Sequence, residues 1–194
     1  PNLGAALLKN GYTFKGFAQS LPSVGYLECG DVKSTLTGGI IYGRKHCPWI
    51  NWQGDKKNNF PDSLSQPMSA FPKDFNQLPT VAFAVPDMDH DMHNIGTVGD
   101  SAAIVRGDNW VKENLSAYVE WAKTHNSLLI LTYDEDQFTP KNHILTLFVG
   151  ANIKPGKYSE NINHRNVLKT LETMYGLHVQ DTTKAVAIKD VWKN

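Results

Sequence analysis

Cysteine is scarce in this chain of 194 residues, which contains only Cys29 and Cys47. Two cysteines form neither a disulfide framework nor a Cys-x-x-Cys metal motif, so the sequence excludes both kinds of small stapled domain. The two thiols fit a bridge to each other or to a cysteine upstream of Pro1. The cysteine pattern leaves these possibilities open.

An excess of charge of one sign is also lacking, because 19 Lys and Arg residues are balanced by 19 Asp and Glu residues. A balanced chain has no sequence-wide basic surface, so no nucleic-acid partner is expected. No apolar run is long enough to span a bilayer, and no transmembrane segment is expected. The chain opens at Pro1 without a charged-then-apolar leader, so no targeting signal is identified in it.

The hydrophobic pattern predicts alternating strands and helices along most of the chain. Strands are predicted over residues 13–20, 80–85, 128–133 and 144–149, and helices over residues 2–10, 109–125 and from Asn163 to Gly176, with Asp108 capping the second helix. Residues 21–78 show no sustained period and are predicted to be a long irregular loop. Apolar strands that alternate with helices indicate an α/β fold with a mostly parallel sheet flanked by helices.

Acidic and histidine side chains follow two of the predicted strands. Residues 87–93, after the strand at 80–85, hold three aspartates and two histidines in seven positions. Residues 134–136, after the strand at 128–133, are Asp-Glu-Asp, and His143 precedes the next strand. Ligands of open parallel sheets bind beyond the carboxyl ends of the strands, so these segments predict the functional site.

A divalent metal ion is the simplest explanation for two acidic clusters at neighbouring strand ends, because like charges at short range repel each other. Carboxylate and imidazole ligands without thiolate suit zinc, manganese or iron, or calcium where oxygens dominate. The sequence does not choose among these metals. Each acidic segment taken alone is also typical of a solvated turn.

Two further features admit more than one interpretation. Arg44, Lys45 and His46 form a basic triplet that suits phosphate binding, since Arg and Lys bind phosphate oxygens readily, or a solvated surface. His164, at the predicted start of the last helix, is interpreted as a packing or capping residue rather than a ligand.

Ordered blocks along nearly the whole chain resemble the phosphoesterase family that contains bacterial acid phosphatases and phosphatidylcholine-hydrolysing phospholipases C. The blocks are residues 107–110, 115–118, 126–136, 142–144, 148–150, 153–159, 162–164, 170–172 and 174–177. This family is part of the alkaline phosphatase superfamily. The resemblance implies an alkaline-phosphatase-like α/β sandwich and a metal-dependent phosphoester hydrolase.

The resemblance also assigns roles to individual residues. The implied metal ligands are Asp91, Asp134, Glu135 and His143, with Asp89 as an additional candidate. His93, His46 and Lys45 are the implied catalytic residues, and His93 fits either a further ligand or the acid that protonates the leaving group. Arg44, Lys45 and His46 would bind the phosphate of a small phosphorylated substrate.

Family members carry a Glu-Asn metal-binding pair and a Ser or Thr nucleophile upstream of the block that begins this chain. Residues 1–194 therefore resemble the carboxyl-terminal two-thirds of one catalytic domain, with the irregular segment at about 21–78 as an insertion.

The expected activity is that of an acid-phosphatase-type phosphomonoesterase acting through a covalent phosphoenzyme, in a secreted or cell-envelope protein. The alternatives are a phospholipase C-type phosphodiesterase and a non-catalytic metal-binding module that kept the fold.

Overall fold

A computed structural model describes residues 2–30, 32–36, 38–52, 60–93, 99–177 and 184–193. The helices are α1 (Leu3–Lys9), α2 (Gly99–Ala122) and α3 (His164–Tyr175), and the strands are β1 (Phe14–Ala18), β2 (Ser65–Pro67), β3 (Val81–Val85), β4 (Leu128–Thr132) and β5 (Thr146–Gly150). The predicted α/β class is confirmed.

Three strands form a parallel sheet in the order β2-β1-β3. The central strand β1 aligns Phe14 with Val81 of β3 and Gly16 with Ser65 of β2. The Trp49 ring packs against the backbone of Gly16, where a Cβ would lie only 2.1 Å from the ring. The glycine therefore lets a fully buried indole pack directly on the sheet.

Strands β4 and β5 form a separate antiparallel pair, which corrects the prediction of a mostly parallel sheet for these two elements. Parallel neighbours need a crossover connection, usually a helix. Here residues 133–145 fold back through a turn in which Asp136 accepts hydrogen bonds from the backbone N–H groups of Thr139 and His143, both at 2.9 Å. The chain therefore reverses direction between β4 and β5.

The segment predicted as an irregular loop contributes to the core. It contains strand β2 and short 3-10 turns at Arg44–His46 and Pro48–Trp52. Trp49 is fully buried, and its indole N–H donates to the Ser65 hydroxyl at 3.0 Å. Short 3-10 turns carry no period that a sequence pattern reveals, so the prediction of an irregular segment did not show that it contributes to the core.

Helix α2 begins at Gly99, so Asp108 lies inside the helix and does not cap it. The prediction treated Asp108 as the N-cap. Gly107 is instead a contact point, because a Cβ there would lie 2.5 Å from Cγ and Cε of Met92. The glycine lets the loop after β3 pack against the helix.

Helix α3 matches its prediction at both ends. The Asn163 side chain accepts from the backbone N–H of Arg165, and the Asn166 side chain accepts from the backbone N–H of Asn163, both at 2.9 Å. Gly176 ends the helix with a left-handed backbone, φ 61°. These two local signals define the ends of the helix in the sequence.

Cys29 and Cys47 are both free thiols, so the bridge between them is not seen, and a bridge to a cysteine upstream of Pro1 stays a prediction. Cys29 is exposed, whereas burial raises the pKa of Cys47 to about 12. Among the described residues, no helix has the length and apolar character required to cross a membrane.

Candidate functional site

The basic triplet and the loop after β3 meet at His46 and Asp91. The His46 Nδ1 atom lies 3.8 Å from the Asp91 Oδ2 atom, and the two side chains are 24% and 14% exposed. At 3.8 Å the two atoms are too far apart for a hydrogen bond, and the pair is an ion pair only when His46 is protonated.

The loop after β4 reaches the same place. Burial lowers the pKa of His46 below its ordinary value, and the Asp91 carboxylate acts in the opposite direction. Smaller influences come from Lys45, Asp134 and His93. Asp91, Asp134 and His93 therefore all influence the pKa of His46, and the contact that the structure shows directly is the approach of Asp91 to 3.8 Å. An imidazole with a lowered pKa is neutral near pH 7 and is able to accept a proton.

Two aspartates of the loop after β3 are used within the fold. Asp87 is buried and accepts from the Ser20 hydroxyl at 2.6 Å and from the backbone N–H of Asp89 at 3.1 Å, and its Oδ1 lies 2.7 Å from Nδ1 of His90. Both Asp89 oxygens lie within hydrogen-bond distance of the Ser34 hydroxyl, at 2.9 and 2.7 Å. The Asp89 carboxylate is thus hydrogen-bonded to Ser34. Its role as a metal ligand stays a prediction.

A tight turn then presents Asp91 and His93. Met92 has a left-handed backbone, φ 69°, and the Asp91 carboxylate accepts from the backbone N–H of His93 at 2.8 Å. The Tyr133 hydroxyl donates to the Met92 sulfur at 2.9 Å, which joins this turn to the end of β4. The turn is thereby held between the β4 end and Gly107 of α2.

The other predicted ligands lie after β4 and are exposed. Asp134, Glu135 and His143 all face solvent, and the Asp134 carboxylate accepts from the backbone N–H of Glu135 at 3.0 Å. Asp136, which precedes the turn, binds backbone groups instead. Among these residues, Asp134 is the one whose charge influences the pKa of His46.

The two cations of the basic triplet differ in their surroundings. Arg44 donates from a guanidinium nitrogen to the Leu27 carbonyl at 2.6 Å, and this bond holds the triplet against the preceding loop. Lys45 is exposed to solvent. Lys45 is therefore the better placed of the two to meet an incoming phosphate.

One site contact differs from its sequence interpretation. His164 Nε2 lies 2.8 Å from the carbonyl oxygen of Asp134, so its ring contacts the β4 end. Sequence reasoning assigned His164 to packing or capping because it stands next to a strong capping residue, Asn163. A sequence signal for this contact is absent, since 30 residues separate the two partners.

The donors have the chemistry of a metal site but do not form a complete one. In the part of the chain that the structure describes, no group of three or more His, Cys, Asp or Glu side chains is arranged to hold a metal ion. Carboxylate and imidazole suit a divalent metal, yet Asp91 and His46 form only a pair. Metal binding stays a prediction.

The model of the phosphoesterase family matches residues 1–178. The chain belongs to the phosphoesterase family. Within it, the chain is similar to a phosphatidylinositol-3-phosphatase of Mycobacterium tuberculosis, with 48% identity over 195 residues. The match covers 99% of this chain and 58% of that relative, so the chain spans little more than half of the relative's length. No solved structure matches the chain. The family resemblance inferred from the sequence is confirmed.

Proposed function

We propose that this chain forms part of a phosphomonoesterase. The observation that carries the proposal is the meeting of His46 with Asp91, close to Asp134 and His93, in a chain of the phosphoesterase family. The name of the relative, a phosphatase, favours a monoester over the diester of a phospholipase C. Phosphatidylinositol 3-phosphate is therefore a substrate to test beside simple phosphomonoesters.

The chain's own residues support binding and proton transfer. Lys45 is exposed beside His46 and would bind phosphate oxygens, with Arg44 holding the turn in place. His93 is the candidate acid that would protonate the leaving alkoxide, a task that imidazole performs near neutral pH, whereas His46, with its lowered pKa, is a candidate proton acceptor. Asp91 would orient His46 from 3.8 Å.

Metal dependence and a covalent phosphoenzyme are part of the proposal. A divalent metal would neutralise phosphate oxygens and lower the pKa of a hydroxyl nucleophile. Asp91, Asp134, Glu135 and His143 are its candidate ligands within this chain, and further ligands and the nucleophile are expected upstream of Pro1 in the full protein. An extracytoplasmic location is proposed on the family resemblance.

The test is hydrolysis of a chromogenic phosphomonoester by the full-length protein, with and without a chelator, beside phosphatidylinositol 3-phosphate and a phosphocholine diester. Chelator-sensitive monoester turnover supports a metal phosphatase. Turnover of the diester alone supports a phospholipase C. Bound metal without turnover of any ester supports the binding module.

The first variant is Asp134→Ala, for which we expect metal content and turnover to fall together. Elemental analysis and the chromogenic assay measure the two quantities. Glu120→Ala is the matched control, because Glu120 is an exposed acid on α2 that pairs only with solvent-side Lys123 in the described contacts. Unchanged metal content in Asp134→Ala would refute the assignment of Asp134 as a ligand.

A further inference from the structure

His164 connects the start of helix α3 to the segment that follows β4. It is the first residue of α3, and its Nε2 lies 2.8 Å from the carbonyl oxygen of Asp134. A carbonyl oxygen only accepts hydrogen bonds, so the ring must donate through Nε2–H. Both the neutral Nε2–H tautomer and the imidazolium supply that proton, and the contact therefore does not depend on protonation of the ring.

The first turn of α3, which carries His164, is held in place by several hydrogen bonds. Asn163 and Asn166 close the first turn of α3 with reciprocal hydrogen bonds. The Asn166 side chain also donates to the Val186 carbonyl at 3.0 Å, and the backbone N–H of Ile188 donates to the buried Thr170 hydroxyl at 2.9 Å. The start of α3 is thus anchored to the last described segment of the chain.

Packing and capping do not explain the His164 ring. The residue is exposed, so it buries little apolar surface, and Asn163 already caps the helix. The ring makes its hydrogen bond to the backbone carbonyl of Asp134, which is 30 residues away in the sequence. Asp134 is the candidate ligand whose charge influences the pKa of His46.

We propose that His164 is a positioning residue, whose Nε2–H fixes the Asp134 peptide and thereby directs the Asp134 carboxylate toward the His46 side of the site. This inference rests on the proposed function, because it assigns Asp134 to the reaction. Residues that hydrogen-bond to a metal-ligating residue and orient it change turnover when they are removed, even though they do not contact the substrate.

The experiment compares His164→Ala and His164→Gln in the full-length protein, with the chromogenic phosphomonoester as the substrate. Glutamine retains an N–H donor at a similar reach, whereas alanine has none. We expect alanine to lower kcat by roughly 10-fold or more with little change in KM, and glutamine to restore most of kcat. His125→Ala is the control, because His125 is an exposed histidine that stacks on Trp121 at the end of α2. It should leave both constants unchanged.

A second readout does not need turnover. Nitrogen-15 NMR of the wild-type ring should show His164 with the proton on Nε2, and the carbonyl carbon resonance of Asp134 should shift in His164→Ala. An unchanged kcat in His164→Ala, or equal losses in the alanine and glutamine variants, would overturn the positioning role while leaving the phosphatase intact. Absence of ester turnover by the wild type would instead refute the proposed function itself.

Discussion

Asp87 and Asp91, four residues apart in the loop after β3, have different surroundings. Asp87 is only 4% exposed and binds the Ser20 hydroxyl, the backbone of Asp89 and the His90 ring. Asp91 lies beside His46. The difference follows from burial, because a buried carboxylate must be fully hydrogen-bonded to be tolerated.

We expect Asp87→Ala to lower the free energy of unfolding by roughly 1–3 kcal/mol, because it leaves buried donors without an acceptor. Asp134→Ala removes an exposed carboxylate and should change that free energy by less than about 0.5 kcal/mol. Urea denaturation of the two variants measures both values. Equal losses of stability would contradict the separation of a structural aspartate from a functional one.

The composition of the candidate site was predictable from the sequence, whereas its partners were not. The density of Asp and His after β3 and β4 indicated these segments, and His46 and Asp91, which the structure places side by side, were both among the predicted residues. Ser20 lies 67 residues from Asp87, and Ser34 lies 55 residues from Asp89, so no local pattern shows which carboxylates they occupy. The contact between His164 and Asp134 was missed for the same reason.

Elements with strong local signals were predicted well. Helix α1, with Asn2 at its start, and helix α3 have clear caps, and β1 and β3 lie within their predicted ranges. Strand β2 has three residues and no period to detect. The direction of β5 relative to β4 depends on the turn around Asp136, which is not visible in the hydrophobic pattern.

The contact between α2 and the loop after β3 is tested by Gly107→Ala. Replacement of glycine by alanine in a helix interior normally stabilises it by about 1 kcal/mol. Here the new Cβ would meet Met92, whose neighbours are Asp91 and His93, so we expect a lower Tm and lower phosphatase turnover. Calorimetry and the chromogenic assay measure these effects.

Ser116→Ala is the control for Gly107→Ala, because Ser116 is exposed on the same helix and tests helix propensity without a new contact. It should raise Tm slightly and leave turnover unchanged. A rise in Tm for Gly107→Ala with full activity would show that the loop moves away from α2 without cost.

At the scale of the whole molecule, the described core has two parts that α3 connects. The larger cluster surrounds Trp49 and includes Leu7 and Phe14, with Leu168 of α3 packed against it. The smaller cluster is built from Ile153, Ile188 and Val191, with Val167 of α3 packed against it. Because one helix contacts both clusters, their unfolding should be coupled.

Ile188→Ala should therefore lower the stability of the entire chain by about 2–5 kcal/mol, the usual loss for a buried aliphatic side chain truncated to alanine. Trp49 and Trp52 belong to the larger cluster and Trp192 packs against the smaller one, so a Trp192→Phe background removes the tryptophan of the smaller cluster from the fluorescence signal. Circular dichroism reports on all helices. We expect both signals to shift to the same lower denaturant midpoint. Separate midpoints would indicate that the smaller cluster unfolds on its own.

The contrast between the two thiols gives the chain a natural labelling position. Cys47 is buried and has a pKa of about 12, so a maleimide dye at neutral pH would attach to Cys29. The Cys29 carbonyl accepts from the backbone N–H of Arg44 at 3.0 Å, so the dye would lie one hydrogen bond from the turn that carries Lys45 and His46. Its emission therefore tests whether inorganic phosphate binds at this turn.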